Sequence, residues 1–286
     1  MICVLQNNEN KKGEDTEMNR RRTMILMLAV MLFAACTPLE SFAAAAVTTK
    51  TSTLSKNTFT DRYTVTVNSA NGTRDYNIFS QEASNLSKKS FIAQHGCAVS
   101  ALTCVLSGYN SKYADWTPSK VSKQLEKQVF GAKAWNANYK KSLPAQRPVS
   151  LYGISKILSY CKIQNKYVRT FKDKQAVKDI KQHLKTGNAV IIEVNNHKQV
   201  NGKISAKYDN RWATSKHTMA LLGMTDTGKV IVADSANREW SGQKQRVKFA
   251  KMEDLIRYMI PCKKYSNSLY FNSVDSCGGY ILVNKK

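Results

Sequence analysis

The segment Gln94-His95-Gly96-Cys97-Ala98-Val99-Ser100-Ala101-Leu102 constrains this chain most, because it sets a cysteine in the first turn of a helix that has to be buried. From Ala98 onward the apolar residues Ala101, Leu102, Val105 and Leu106 recur at helical spacing, and Gly108 marks the stop. A helix N-terminus carries partial positive charge and unpaired N–H groups, which favour a thiolate over a thiol. The glycine ahead of it lets backbone or substrate come close to the sulfur. On these residues alone two readings stand side by side: an activated nucleophile, or a small core cysteine at a helix start.

A partner lies far downstream. Lys216-His217-Thr218-Met219-Ala220-Leu221-Leu222-Gly223 predicts a strand, and Val230-Ile231-Val232-Ala233-Asp234 a second, joined by Thr225-Asp226-Thr227-Gly228-Lys229. Asp-Thr-Gly between two apolar runs is a hairpin signal. If the loop holds an even number of residues, paired positions sum to an odd number. His217 and Asp234 then project from one face, opposite each other or one diagonal apart. A carboxylate so placed holds one imidazole nitrogen and leaves the other to take a thiol proton. The plainer alternative is a surface histidine and an aspartate capping a turn.

Gly96-Cys97-Ala98-Val99-Ser100-Ala101-Leu102, followed by Val105-Leu106-Ser107-Gly108-Tyr109, resembles the cysteine-bearing helix of C39-like papain-fold peptidases. His217 to Gly223 and Val230 to Asp234 are similar to that family's histidine strand and the aspartate strand after it. The resemblance runs from about Tyr76 to the C-terminus, in the order Cys, His, Asp. It implies an α+β, papain-like fold in which an N-terminal helix carrying the nucleophile packs on an antiparallel sheet. It also implies a catalytic site of Cys97, His217 and Asp234. The chain departs from the pattern in one place: many relatives have Gly-Pro after the cysteine, where this sequence has Ala98-Val99.

The family's oxyanion glutamine lies upstream of the cysteine, at the end of an extended segment. Gln81, ending Tyr76-Asn77-Ile78-Phe79-Ser80, matches that setting. Its amide and the Cys97 N–H would both donate to a developing oxyanion. Gln94 is the alternative, though a tether of three residues makes it hard for its side chain to double back to Cys97. Either glutamine is equally readable as a solvated side chain.

His95 adjoins the cysteine but is expected to point away from it. His183 falls on the polar face of an amphipathic helix, and His197, in an Asn-rich loop after the strand Ala189–Val194, is the rival to His217 as base. No spacing of His, Cys, Asp and Glu resembles a zinc or calcium site, so no metal and no cofactor are expected. Trp116, Trp135, Tyr139, Trp212 and Trp240 are candidates for a cleft wall, or for ordinary packing.

Asn19-Arg20-Arg21-Arg22, the apolar run Met24 to Ala35 and the small-residue run Ser41-Phe42-Ala43-Ala44-Ala45-Ala46 read as a secretory signal peptide cleaved near Ala43. The apolar run is shorter than a spanning helix needs. Residues 1–17 read as an over-long start, 18–43 as the signal peptide, 44–58 as a flexible linker and 59–286 as one peptidase domain. Phe33-Ala34-Ala35-Cys36 also resembles a lipoprotein cleavage box, which would anchor the chain through Cys36. Five basic and five acidic residues cancel within 1–43, so the formal charge of +24 belongs to the exported part. A protein this basic suits an anionic cell-envelope surface. Its charges are dispersed and no nucleic-acid motif accompanies them, so no specific nucleic acid is expected.

Without the leader roughly 240 residues remain, enough for one core, and a monomer is expected. A β-hairpin is predicted around Asn71-Gly72, helices over Pro118–Phe130, Val149–Cys161 and Lys174–Lys185, a short helix at Met252–Met259 and a last strand at Gly279–Val283. Helices first and an antiparallel sheet later is an α+β order. Cys97 and Cys104 stand seven residues apart on one helix, a rise of about 10.5 Å that exceeds disulfide reach. Cys262 and Cys277 are the pair best placed to bridge. Two functional classes follow. One is an exported cysteine hydrolase cutting a peptide bond, or an amide of peptidoglycan type. The other is a catalytically inactive papain-fold module that binds anionic envelope polymers through its basic surface.

Overall fold

A computed structural model describes residues 47–52, 62–69, 72–81, 90–142, 145–200, 203–213, 215–236, 246–262, 267–271 and 278–284. All of them belong to one unit, Phe42–Lys286. The signal peptide, Cys36, Trp240 and Cys277 lie outside the described residues.

Val47–Ser52 (β1), Arg62–Ser69 (β2) and Gly72–Phe79 (β3) form an antiparallel sheet in that order. The β2–β3 pair is the hairpin expected around Asn71-Gly72. β1 corrects the linker reading over 47–52. Val47, Thr48, Thr49 and Thr51 are β-branched and favour extended backbone, and the outer edge of β2 offers them unpaired backbone groups.

Phe91–His95 (α1) and Cys97–Tyr109 (α2) follow each other with only Gly96 between. A Cβ on Gly96 would lie 2.3 Å from the Ile92 carbonyl oxygen, so only glycine lets the two helices meet this closely. Every residue of α2 from Cys97 to Ser107 is buried, as an all-round apolar helix requires. Pro118–Lys120 (α3), the π-helical turn Val121–Glu126 and Lys127–Phe130 (α4) make up the helix expected over 118–130. Ala132–Tyr139 (α5), Leu151–Tyr160 (α6) and Asp173–Lys185 (α7) come next in the chain.

Asn165–Val168 (β4), Val190–Val194 (β5), His197–Val200 (β6), Lys203–Tyr208 (β7), His217–Met224 (β8), Val230–Ala233 (β9), Val247–Ala250 (β10) and Tyr280–Val283 (β11) complete the strands. Six of them form one sheet in the order β10-β9-β8-β5-β11-β4, with every neighbouring pair antiparallel. β6 and β7 pair separately. The fold is therefore α+β with an antiparallel sheet. α2 packs between β3 and β8. On that face of the large sheet Ile191, Ala220, Leu222 and Ile231 join Leu102 and Leu106 in one core. On the other face Val190, Ile192, Met219 and Val232 pack with Ile180 of α7 and with Leu255 of the short helix Met252–Leu255 (α8). β5 and β8 are covered on both faces, hence their largely apolar runs, interrupted by Glu193 in β5 and opened by His217-Thr218 in β8. The layering sets the start of α2 over the sheet end where β8 begins.

Candidate functional site

The β8–β9 hairpin decides where His217 and Asp234 point. Its loop, Thr225 to Lys229, is odd in length: Met224 pairs with Val230 and Gly223 with Ile231. That register alone would aim His217 and Asp234 at opposite faces. Beyond it the pairing slips by one residue, so that Leu221 faces Val232 and Ala220 faces Ala233. The extra residue is Leu222, a β-bulge whose side chain joins the α2-side core. Gly223 shares the bulge, where a Cβ would stand 3.0 Å from Val67 Cγ1. Continued one step, the shifted register sets Asp234 across from Met219, with His217 one diagonal away on the same face. The even loop of the sequence reading is thus replaced by an odd loop plus a bulge, with the same outcome.

His217 Nε2 lies 2.7 Å from Asp234 Oδ1, and both side chains are buried. Asp234 is further held by the Ala236 N–H at 2.9 Å on Oδ1 and by Lys248 Nζ at 2.5 Å on Oδ2. Nε2 of His217 is engaged by Asp234, and the Cys97 thiol lies close enough to the His217 side chain and the Thr218 N–H for both to bear on its ionisation. Cys97 is the first residue of α2, and Gly96 supplies no side-chain cap to that helix end.

The electrostatics follow from these contacts. Burial opposes the charged form of His217, but the Asp234 carboxylate and the Cys97 contact more than offset it, raising its pKa from 6.5 to about 9. Burial likewise opposes ionisation of Asp234; His217 and Lys248 override it and hold the carboxyl at about 2. For Cys97, burial pushes the thiol up, while the hydrogen bond and charge of His217 and the Thr218 N–H bring it below its ordinary range. A thiolate–imidazolium pair is what this arrangement stabilises.

Gln81 ties the two arms of the site together. Its N–H donates to the Ser235 carbonyl at 2.9 Å, its Oε1 accepts from Ser235 Oγ at 2.7 Å, and its Nε2 donates to the Ala93 carbonyl at 3.2 Å. Ser235 follows Asp234 and Ala93 lies in α1, just ahead of Cys97. The Gln81 amide carries a second N–H beyond the one given to Ala93. Gln94 is exposed on α1.

The peptidase C39-like family model matches residues 73–262, about two thirds of the chain. The chain belongs to the peptidase C39-like family. At that level its function is of peptidase type. A search of curated proteins finds no match. The match to the C39-like family spans Gln81, Cys97, His217 and Asp234, so all four candidates stand inside the recognised region.

The other sequence candidates of this C39-like chain lie elsewhere. His95 is half-buried with its ring 5.7 Å from that of Phe91. His183 is half-buried on its helix: Nε2 reaches the Val283 carbonyl at 3.0 Å, and burial lowers its pKa. His197 opens β6, with Nδ1 2.8 Å from the Ser205 carbonyl. Trp116 packs edge-on against Tyr113, and Trp135 stacks on Tyr139. Cys262 Sγ lies 3.4 Å from Tyr167 Oη; its suggested partner Cys277 lies outside the described residues. Among the described residues no group of three or more His, Cys, Asp or Glu is gathered for a metal, and no helix is long and apolar enough to cross a membrane.

Three residues of the site escaped sequence reasoning. Ser235 holds Gln81, and Lys248 holds Asp234. Glu193 pairs across β5 and β8 with Thr218 and is buried facing the α2 side, where its charge bears on Cys97. Burial raises the Glu193 pKa to about 7 against the pull of Lys216, whose Nζ stands 3.6 Å from Oε1. Two of them had a signal: Lys248 breaks the apolar strand Val247-Lys248-Phe249-Ala250 on the face where Ala250 is buried, and Glu193 breaks the apolar run Val190–Val194.

Proposed function

We propose that this protein is an exported cysteine peptidase with Cys97 as nucleophile, His217 as base and Asp234 as its orienter. The observation that supports this reading is the buried 2.7 Å contact of His217 Nε2 with Asp234, beside a Cys97 thiol that the same histidine draws below its ordinary range. The free imidazole nitrogen takes the thiol proton, and the thiolate attacks the carbonyl carbon of the scissile bond. The oxyanion receives the Cys97 N–H at the uncapped start of α2 and the second Nε2–H of Gln81. Collapse of the intermediate breaks the C–N bond, and the departing amine takes the proton from the imidazolium. Water, deprotonated in turn by His217, then hydrolyses the thioester and releases the acid and the Cys97 thiol. The substrate is a peptide bond in protein or an amide of peptidoglycan type. Export rests on the leader pattern of residues 18–43, and the charge of +24 suits an anionic envelope around the enzyme.

The test is the pH dependence of iodoacetamide alkylation at each cysteine, read by peptide mass spectrometry, in the wild type and in His217→Ala. Cys97 is expected to react well below the ordinary thiol range, and to lose that advantage in the variant. An unshifted Cys97 would sink the catalytic reading. Retained, salt-sensitive binding to teichoic-acid-like polymers would then favour the inactive envelope-binding module.

A further inference from the structure

Asp234 is gripped from two sides, and only one grip enters the mechanism above. Lys248 is paired in register with Val232, so its side chain enters the buried layer between the large sheet and α7 with α8. Strand alternation calls for an apolar residue there. Lys248 and Asp234 are both wholly buried, Nζ to Oδ2 is 2.5 Å, and the ammonium lies 6.0 Å from the centre of the Trp212 ring. A buried ammonium is tolerated only beside a counter-charge. The two carboxylate oxygens are thereby divided: Oδ2 belongs to Lys248, Oδ1 to His217 and the Ala236 N–H.

We infer that Lys248 is a positioning residue of the candidate active site, fixing the Asp234 carboxylate so that Oδ1 alone orients His217 and cancelling the carboxylate's charge. This rests on the catalytic reading and deepens it. With Lys248 present, Asp234 and Lys248 sum to zero charge. Moving the Cys97 proton to His217 then creates a second neutral pair, so the buried cluster carries no net charge at either stage. Without the ammonium, the bare carboxylate grips the imidazolium harder and the net negative charge opposes the thiolate. Both deprotonations therefore move to higher pH. The other charges around the site stay in place: Glu193 from β5 with Lys216 ahead of β8, and Arg246, which donates to the Ser235 carbonyl at 3.3 Å.

The experiment compares the full chain with Lys248→Met and Lys248→Arg. Cys97 alkylation is followed against pH, and the His217 ring is titrated by NMR with labelled histidine. In Lys248→Met both midpoints are expected to move alkaline by about one pH unit, slowing alkylation roughly tenfold on the acid side. Lys248→Arg should hold both near the wild type. If Lys248→Met does not fold, Lys248→Gln, which keeps a hydrogen-bond donor but no charge, is expected to give the same alkaline shift. Midpoints unmoved in a folded neutral variant would overturn the inference, even if its stability falls, because a purely structural lysine changes the folded fraction and not the titration. An ordinary thiol at Cys97 in the wild type would instead defeat the catalytic reading itself, so the two failures are distinguishable.

Discussion

Replacing Glu126 by glutamine should make the protein's stability less sensitive to alkaline pH. Glu126 ends the π-helical turn and is fully buried. Its Oε2 accepts from Tyr139 Oη at 2.9 Å and from Tyr270 Oη at 3.3 Å. Burial raises its pKa from 4.5 to about 8, and the two hydroxyls offset only part of that. The folded state thus keeps the proton between those pH values while the unfolded chain gives it up. Stability from this group is complete below about pH 4.5 and is lost as pH rises to about 8. At about 1.4 kcal/mol per pH unit, that interval amounts to about 5 kcal/mol, an upper bound once the carboxylate draws in water. A glutamine amide at this position has no proton to lose. Urea unfolding of both proteins at pH 5, 6.5 and 8.5 should find Glu126→Gln within about 1 kcal/mol of the wild type at the lowest pH and more stable by several kcal/mol at the highest. Glu193 titrates in the same range but is common to both proteins and cancels in the difference. A stability difference that stays constant from pH 5 to 8.5 would refute the reasoning. The carboxyl also bears on the site, since Tyr139 packs at 4.5 Å against Phe91, the first residue of α1.

Two further outcomes follow from the site. Gln81→Ala should leave Cys97 alkylation by iodoacetamide unchanged, because that displacement forms no oxyanion. Acylation by p-nitrophenyl acetate does form one and should slow about 10²-fold; equal loss in both reactions would remove Gln81 from the oxyanion role. Gly96→Ala drives a methyl group into the Ile92 carbonyl oxygen and should destabilise the fold by about 1–3 kcal/mol, measured by urea unfolding, with a rise in the pH needed to alkylate Cys97. A neutral result would mean that the α1–α2 junction is not tight.

The parts of the molecule legible in the sequence are those where local pattern and tertiary burial agree. α2 was readable because its apolar spacing is continuous from Ala98 and Gly96 precedes it; Gly108, read as the stop, lies in the last turn, and the helix runs on to Tyr109 with Asn110 as its cap. β5, β8 and β9 were readable because doubly covered strands carry long, nearly continuous apolar runs. β1 was not: threonine and lysine suggest a linker by composition, and only the free edge of β2 turns their extended preference into a strand. Helical periodicity put His183 on the polar face of its helix but says nothing of the Val283 carbonyl that β11 brings to it. Glu193 and Lys248 stand out as single charges in apolar strands, but which groups they and Ser235 meet is set by register and layer contacts between segments far apart in the chain, and local pattern does not show those contacts. Gln81 was singled out through its family setting; its anchoring by Ser235 is a fact of packing alone.

The bulge at Leu222 ties two features that look independent. Parity across the β8–β9 hairpin is set by loop length and bulge together. One residue more or fewer between Thr225 and Lys229 would turn Asp234 away from His217 unless the bulge were lost in the same event, while a change of two residues would leave the pairing intact. Hairpin length in this fold is therefore free to drift in even steps, and an odd step has to be answered at Leu222, next to a glycine pressed against Val67.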